Sequence, residues 1–482
     1  MDELIPRRRF YQQIPVEAQL SVEGAPPELA DVILEYSSTG EGSVRGYVLG
    51  AANVRKRLAK LVEISQGYLK FKANQPGRKD ISYSSSSATL TFSSDSIGLL
   101  FGPSLPESMP RRVAEIRFTD LALFETNYFG DDARFEPIRF TYAGDTNFLM
   151  ALFLAPNPNQ SFDYRAERHE VEIALPQCFA CKLVITSTFQ HEWEDSGQTR
   201  LSKQVFGLEL TPLQVDSTEE APPLKLLTLA NHVAQVASFM GGQKTRWTRA
   251  QWPDGKARIT MLLNAPSAST EIDKYRSYPT RLFDWPRELL AKALTALMHT
   301  EEDAEDIAAV IDYLVQGEGQ TEPGNRFALF FFALERLKNL YSREKGLDAI
   351  FDSTEFKPIK RAVKQALSEC ITVESKHEAV LAKLGELNRW PSRAVIEKMM
   401  ASWQVTLFDL YPPGQKITLF NTRNLLMHSN PKLDANQLYS DQERLKVLVQ
   451  RLILRCLGWE DLSKTPEDWV RNWLTKPSVD SQ

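Results

Sequence analysis

The chain has 482 residues, 43% apolar and 25% charged, with a net charge of −5. At roughly 150 residues per domain this length holds roughly two to four domains, with cores large enough to need no staples. Such a composition excludes a wholly disordered or collagen-like chain, and the acidic balance excludes a histone-like polycation.

Four cysteines in 482 residues are too few for a disulfide scaffold and point to a reducing compartment. The start, Met1 to Arg9, holds a basic cluster with no apolar stretch after it, so no signal peptide is expected. The longest strongly apolar run, Phe327 to Leu334, spans 8 residues and ends at Glu335. A membrane span needs about 20. A cytoplasmic protein without membrane partners is the expectation.

Up to about residue 280 the pattern is that of strands. Thr89–Phe92, Glu115–Phe118, Ile138–Tyr142 and Glu170–Ile173 alternate polar and apolar residues, the period-two signature of half-buried strands. Leu183–Thr188, Val205–Leu210 and Ile259–Leu263 read the same way. Turn-forming stretches such as Pro156-Asn-Pro-Asn159 and Asp195-Ser-Gly197 separate them. Many short strands between turns predict an antiparallel sandwich or barrel-like domain over 1–280. One helix is expected within it near 224–239, between Pro222-Pro223 and Gly241-Gly242, and a shorter one over Val54–Ile64.

From about 283 to 475 the periodicity becomes helical. Helices are predicted at Pro286–His299, Glu302–Val315, Arg326–Ser342, Lys357–Ser368, Ser375–Glu386, Ser392–Trp403, Gln415–His428 and Asp441–Leu457. The fold class is therefore multidomain: a β-rich N-terminal domain followed by an all-α bundle.

Most chemical motifs are absent or weak. No phosphate-binding loop, Rossmann glycine pattern, zincin helix or GxSxG elbow occurs, which argues against those enzyme classes. Cys178 and Cys181 have CxxC spacing, but no second ligand pair lies nearby to complete a zinc site. His169-Glu170 and His191-Glu192 are adjacent on strands and so face opposite ways. No metal and no cofactor is expected.

One segment carries more. Arg423-Asn424 is followed by Leu-Leu-Met and then His428, at the end of a predicted helix closed by Ser429-Asn430-Pro431. This part of the chain resembles a HEPN domain, a helical bundle of many prokaryotic defence ribonucleases. The family motif is Arg, four to six residues, then His, often with a polar residue after the Arg. The helix containing Phe330-Phe-Phe-Ala-Leu-Glu335 and the segment Leu387-Asn-Arg-Trp-Pro-Ser392 are similar to one subgroup, the ApeA-type abortive-infection proteins. These couple a β-rich N-terminal domain to a C-terminal HEPN domain. The resemblance implies a metal-independent endoribonuclease acting on RNA, tRNA among the candidates. It also implies a homodimer formed through the helical domain and a phage-derived trigger sensed by the N-terminal domain.

The residue chemistry is consistent with that implication. RNA cleavage without metal needs a proton donor or acceptor that titrates near neutrality, which histidine supplies, and a cation for the phosphate. Arginine offers a two-pronged fork for phosphate oxygens. His428 is thus the candidate acid or base and Arg423 the phosphate clamp. Asn424, at i and i+4 with His428, is the candidate orienting residue. Arg423 and His428 lie about 140° apart round a helix, so they must converge on a ligand in a groove. Glu335, a carboxylate in an apolar helix, is placed to pair with Arg423. A structural role remains open for each of these: an arginine binding a carboxylate, a histidine capping a helix, Glu335 facing solvent.

Lys357, Lys360, Arg361 and Lys364 fall at i, i+3, i+4 and i+7, one basic stripe that suits a phosphate track or a solvated face. Residues 321–482 hold 24 Lys+Arg against 20 Asp+Glu, so any RNA site must be local. Two alternatives stand beside cleavage. One is a non-catalytic HEPN-like protein that binds nucleotides or partners, with a ligand-sensing β-rich domain. In the other the β-rich half is a carbohydrate or protein binder that uses Trp193, Trp247 and Trp252.

Overall fold

The structure is a computed structural model. It describes residues 11–22, 28–37, 45–50, 69–74, 79–85, 88–92, 111–118, 121–128, 137–144, 147–154, 168–176, 181–193, 200–212, 224–254, 257–262, 286–299, 301–371, 373–428, 434–463 and 465–476. The chain divides into two compact units. The first takes Met1–Arg276 and Leu282–Thr295, the second Ser277–Arg281 and Ala296–Gln482. Among the described residues no helix is long and apolar enough to cross a membrane. The short helix expected over Val54–Ile64 lies outside the described residues.

The first unit is β-rich and antiparallel throughout. Strands β1 (Tyr11–Val22), β2 (Glu28–Ser37), β3 (Arg45–Gly50), β4 (Leu69–Asn74), β6 (Ala88–Phe92) and β7 (Arg111–Phe118) form a six-stranded sheet in the order β4-β1-β2-β3-β7-β6. Its edge strands β4 and β6 approach each other without pairing, so the sheet curls towards closure. Strands β5 (Lys79–Ser85), β8 (Leu121–Tyr128), β9 (Ile138–Gly144), β10 (Arg168–Ile173), β11 (Cys181–Trp193), β12 (Arg200–Pro212), β13 (Thr245–Asp254) and β14 (Ala257–Leu262) form an eight-stranded sheet, ordered β10-β11-β12-β9-β13-β14-β8-β5.

Alternation sets which side chains turn inward. Ile138, Phe140 and Tyr142 of β9 are buried while Arg139 and Thr141 between them are not. Helix α2 (Leu224–Gly241) packs on β13 with Ala230, Val233, Val236 and Ala237 fully or almost fully buried. Polar ties fix its position: the Tyr142 hydroxyl donates to the Ala230 carbonyl at 2.9 Å, and Trp247 Nε1 donates to Asn231 Oδ1 at 2.7 Å. Trp247 and Trp252 are core residues here, which removes them as exposed binding aromatics. A helix the alternation does not announce, α1 (Asn147–Leu154), sits in the same core with Phe148, Leu149, Ala151 and Leu152 wholly buried. Cys181 is buried as well, and burial pushes its thiol up to about 11, the behaviour of a structural cysteine. Cys178 lies outside the described residues.

Helix α3 (Pro286–His299) contributes to both units, because the division falls inside it. The second unit is helical: α4 (Glu301–Glu318), α5 (Pro323–Lys345), α6 (Ser353–Cys370), α7 (Glu374–Lys383), α8 (Ser392–Ser402), α9 (Leu419–Met427), α10 (Ala435–Cys456) and α11 (Asp468–Leu474). Local chemistry explains several ends. Asp352 caps α6 through the backbone N–H groups of Thr354 and Glu355, while Glu355 returns to the Asp352 N–H, a full capping box. Gly346 closes α5 at φ 63°, where a side chain would be strained.

The core of this unit forms around α10. Every residue from Asp441 to Leu454 is buried, including Asp441, Glu443, Arg444, Lys446 and Arg451. Buried charges are tolerable only when they are paired, and these are. Lys446 Nζ lies 2.7 Å from Glu318 Oε1 and 3.4 Å from Glu443 Oε2. Burial lowers the Lys446 pKa, but Glu318 and Glu443 more than reverse this, so the net shift is upward. Arg451 reaches both carboxylate oxygens of Asp409, at 2.8 and 2.6 Å.

Candidate functional site

Helix α9 carries the Arg–His motif. It is a short helix of 9 residues, and it begins at Leu419 rather than at Gln415. Thr418 stands at its N-cap position. Its hydroxyl donates to Asp441 Oδ1 at 2.7 Å instead of capping the helix.

Asp441 is the anchor of α9. Its carboxylate also accepts from Gln437 Nε2 at 2.6 Å, Arg444 Nη1 at 3.0 Å and the Thr422 hydroxyl at 2.5 Å. Thr418 and Thr422 thereby pin two successive turns of α9 to α10. Arg444 extends the network, donating to the carbonyls of Leu410 and Leu474, each at 3.0 Å. It also lies 4.1 Å from the centre of the Tyr411 ring. Burial, then the charge of Asp441, push the Tyr411 hydroxyl up to about 12.

With Leu419 and Thr422 turned into the core, the opposite face of α9 is presented outward. Asn424 and His428 are exposed, and Arg423 is half-buried at the border. Arg423 Nη1 donates to Asn424 Oδ1 at 3.1 Å. Asn424 therefore orients the guanidinium here and not the imidazole of His428, as its i, i+4 spacing suggested. His428 is the C-cap residue, its own N–H bonded to the Asn424 carbonyl at 3.2 Å. Arg423 and His428 thus leave α9 in different directions, as the helical arc between them requires.

Glu335 lies on α5, but the ion pair expected with Arg423 is not formed. Its Oε2 accepts from Lys338 and its Oε1 from the Ser392 hydroxyl, both at 2.6 Å. Arg423 instead lies 5.4 Å from the centre of the Phe331 ring. Phe331 and Glu335 are one turn apart on the same face of α5, so motif and carboxylate border one region without touching. Ser392 opens α8 and ties it to α5. Its neighbour Arg393 reaches α9, with its guanidinium 5.3 Å from the centre of the Phe420 ring. Helices α5, α8 and α9 therefore meet around two cation–aromatic contacts, Arg423 on Phe331 and Arg393 on Phe420.

The segment before α8 has its own fixed geometry. Asn388 bonds to both the N–H and the carbonyl of Phe351, at 2.8 and 2.9 Å. Lys398 of α8 stands 3.6 Å from the centre of the Trp390 ring. The stripe Lys357, Lys360, Arg361 and Lys364 is exposed along α6, a helix with no buried residue.

Sequence reading missed Arg393, Phe420, Thr422 and Asp441. One signal pointed towards them. From Lys398 to Leu433 the chain carries a single carboxylate, Asp409, in a protein with 62 acidic residues, and Arg451 holds that one. Helix α9 itself carries no carboxylate, and exposed Glu397 and Asp434 flank this stretch on either side. Searches against models of protein families, against curated proteins and against solved structures give no match to this chain.

Proposed function

We propose that this chain is a metal-independent endoribonuclease of the HEPN type. The observation that carries the reading is the outward face of α9. There Arg423 is steered by Asn424, and His428 stands exposed at the helix end, while a buried carboxylate network holds the opposite face. A fixed mount with an oriented cation and an exposed imidazole suits proton transfer beside a bound phosphate.

The reaction is attack of a ribose 2′-oxygen on the adjacent phosphorus. The 2′-hydroxyl gives up its proton to a base, the new P–O bond forms, and the bond to the 5′-oxygen breaks. A proton supplied to that oxygen completes the step, leaving a 2′,3′-cyclic phosphate and a free 5′-hydroxyl. His428 serves as acid or base and Arg423 holds the non-bridging oxygens. Two copies of α9 facing each other in a homodimer would bring an Arg423 and a His428 to one phosphate, which the directions they take within one chain do not. The biological setting that fits is abortive infection, with the β-rich N-terminal unit holding the nuclease off until a phage-derived trigger arrives.

The test is induced expression of wild type and His428→Ala, with and without phage challenge, followed by mapping of RNA ends, tRNA included. Wild type is expected to generate 2′,3′-cyclic ends and protect. The variant should fold, yet lose about 100-fold to 10,000-fold in cleavage. Equal behaviour of the two proteins sinks the nuclease reading and leaves the non-catalytic binding protein as its successor.

A further inference from the structure

We infer that the face shared by α8 and α9 is a binding subsite for single-stranded RNA, built on Arg393 and Phe420 next to Arg423. This rests on the reading of α9 given above and names how its substrate would be held.

Single-stranded nucleic acid is bound without base pairing by two devices together: aromatic faces on which bases stack, and cations that follow the backbone. Both occur here, with one partly exposed ring, Phe420, between two arginines. On α9, Phe420 and Arg423 are three residues apart and so neighbours on one face, about 4.5 Å along the axis. Arg393 of α8 lies on Phe420, and Arg423 lies on Phe331 of α5. Two cation-and-ring pairs thus stand side by side, one of them belonging to the motif.

Arg393 is available to a ligand. Its side chain is 63% exposed, and its one ion pair is with Glu397, a surface contact at 2.8 Å within the same helix. Such pairs contribute little and exchange readily for a phosphate. The platform is nevertheless held in place. Ser392, the adjacent residue, is fastened to Glu335, and α9 is pinned through Thr422 to Asp441. Helix α9 itself carries Arg423 and no carboxylate, so the one negative group shown against these cations is Glu397, which a phosphate would displace from Arg393. Phe331 is buried and serves to seat the Arg423 guanidinium, while a single strand crossing from α9 to α8 meets Arg423, the half-buried ring of Phe420 and Arg393. A duplex does not, because its bases are already stacked on one another.

The test uses the full chain carrying His428→Ala, so that bound RNA survives, and a fluorescein-labelled single-stranded RNA of about 12 nucleotides. Anisotropy titrations over a range of salt compare this protein with versions that add Arg393→Gln or Phe420→Leu. Arg393→Gln is expected to weaken binding about 10-fold and to flatten the slope of log affinity against log salt by about 0.7. Phe420→Leu should weaken it about 10-fold with the salt slope unchanged, because a stacking contact releases no counterions. A duplex of the same length should bind less tightly and ignore Phe420→Leu. Undiminished affinity in both variants, equal loss with duplex and single strand, or no binding by the parent protein each overturns the subsite. Failure of the nuclease reading appears separately, as identical RNA ends from wild type and His428→Ala, and leaves this binding result intact.

Discussion

Helices α6 and α10 look alike as sequence. Each is about 20 residues long, mixes aliphatic residues with charges and carries several cations. In the fold they are opposites. Helix α10 is buried from Asp441 to Leu454, whereas α6 buries none of its side chains. The difference lies in partners. The charges of α10 meet complementary groups from distant parts of the chain: Glu318, Asp409, Thr418 and Thr422. Among the described residues, Lys357, Lys360, Arg361 and Lys364 of α6 face solvent, and Glu355 is bound only to the N–H of its own cap residue, Asp352. Charge in this protein therefore does two jobs: in α10 it positions the motif helix, and in α6 it can at most attract a ligand.

The comparison is broken most severely at Asp441. Asp441→Ala leaves the Arg444 guanidinium buried without its carboxylate and frees Thr418 and Thr422. A loss of about 3–5 kcal/mol in unfolding free energy is expected, measured by urea denaturation. The pair of changes Asp441→Leu with Arg444→Met should restore much of that stability, since an apolar pair often replaces a buried ion pair at little cost. It should not restore RNA cleavage, because nothing then anchors α9. Recovery of both would show that packing alone sets the helix, and the network would lose its role.

A smaller effect probes the network around α10 by pH, through Tyr411 beside Asp441. Burial and Asp441 hold the Tyr411 hydroxyl up to about 12, while the same group in the unfolded chain titrates near 10, roughly. Between those values the unfolded state has given up a proton that the folded state keeps. Stability must fall as pH rises through this window, and the Tyr411 contribution is fully present below it. The loss approaches about 2 kcal/mol at the upper end. Tyr411→Phe removes the titrating group, so its denaturation free energy should decline less steeply than wild type between about pH 10 and 11. Parallel curves would mean that the phenol is not coupled to folding.

What could be read in the sequence follows the same division between local and distant causes. The alternation of Ile138, Phe140 and Tyr142 is written in neighbouring residues and the strand it implies is present, whereas the helix expected from Lys357 begins at Ser353, set by the capping box of Asp352 and Glu355. Helix α1 was not legible, because Phe148 to Leu154 is apolar on every side and shows no period to separate helix from strand. The shortened start of α9 was not legible either. Thr418, the N-cap residue, gives its hydroxyl to Asp441, 23 residues on, in place of a helix cap. At the site, Arg423, Asn424 and His428 could be proposed only from the family resemblance, since their spacing alone suits a structural arginine and a capping histidine equally well. That Glu335 would be held by Ser392 depends on a bond between residues 57 positions apart, whereas the Arg423–Asn424 and Lys338–Glu335 bonds are local but compete with other partners in reach.

The smallest effect is expected at α6, and it separates the stripe's two readings. Replacing Lys357, Lys360, Arg361 and Lys364 by Gln removes four exposed charges that hold nothing in place. Stability should shift by no more than about 0.5 kcal/mol per site, with glutamine retaining helix propensity. If the stripe follows an RNA backbone, each cation removed flattens the salt dependence of binding by about 0.7, and the four together weaken affinity independently of sequence. If it is a solvated face, affinity and salt slope stay at the parent values while Arg393→Gln still lowers both. The two sets of cations are thus told apart by one titration series. A stripe that proved to matter for stability instead would mean that α6, for all its exposure, has a partner that α10 does not need.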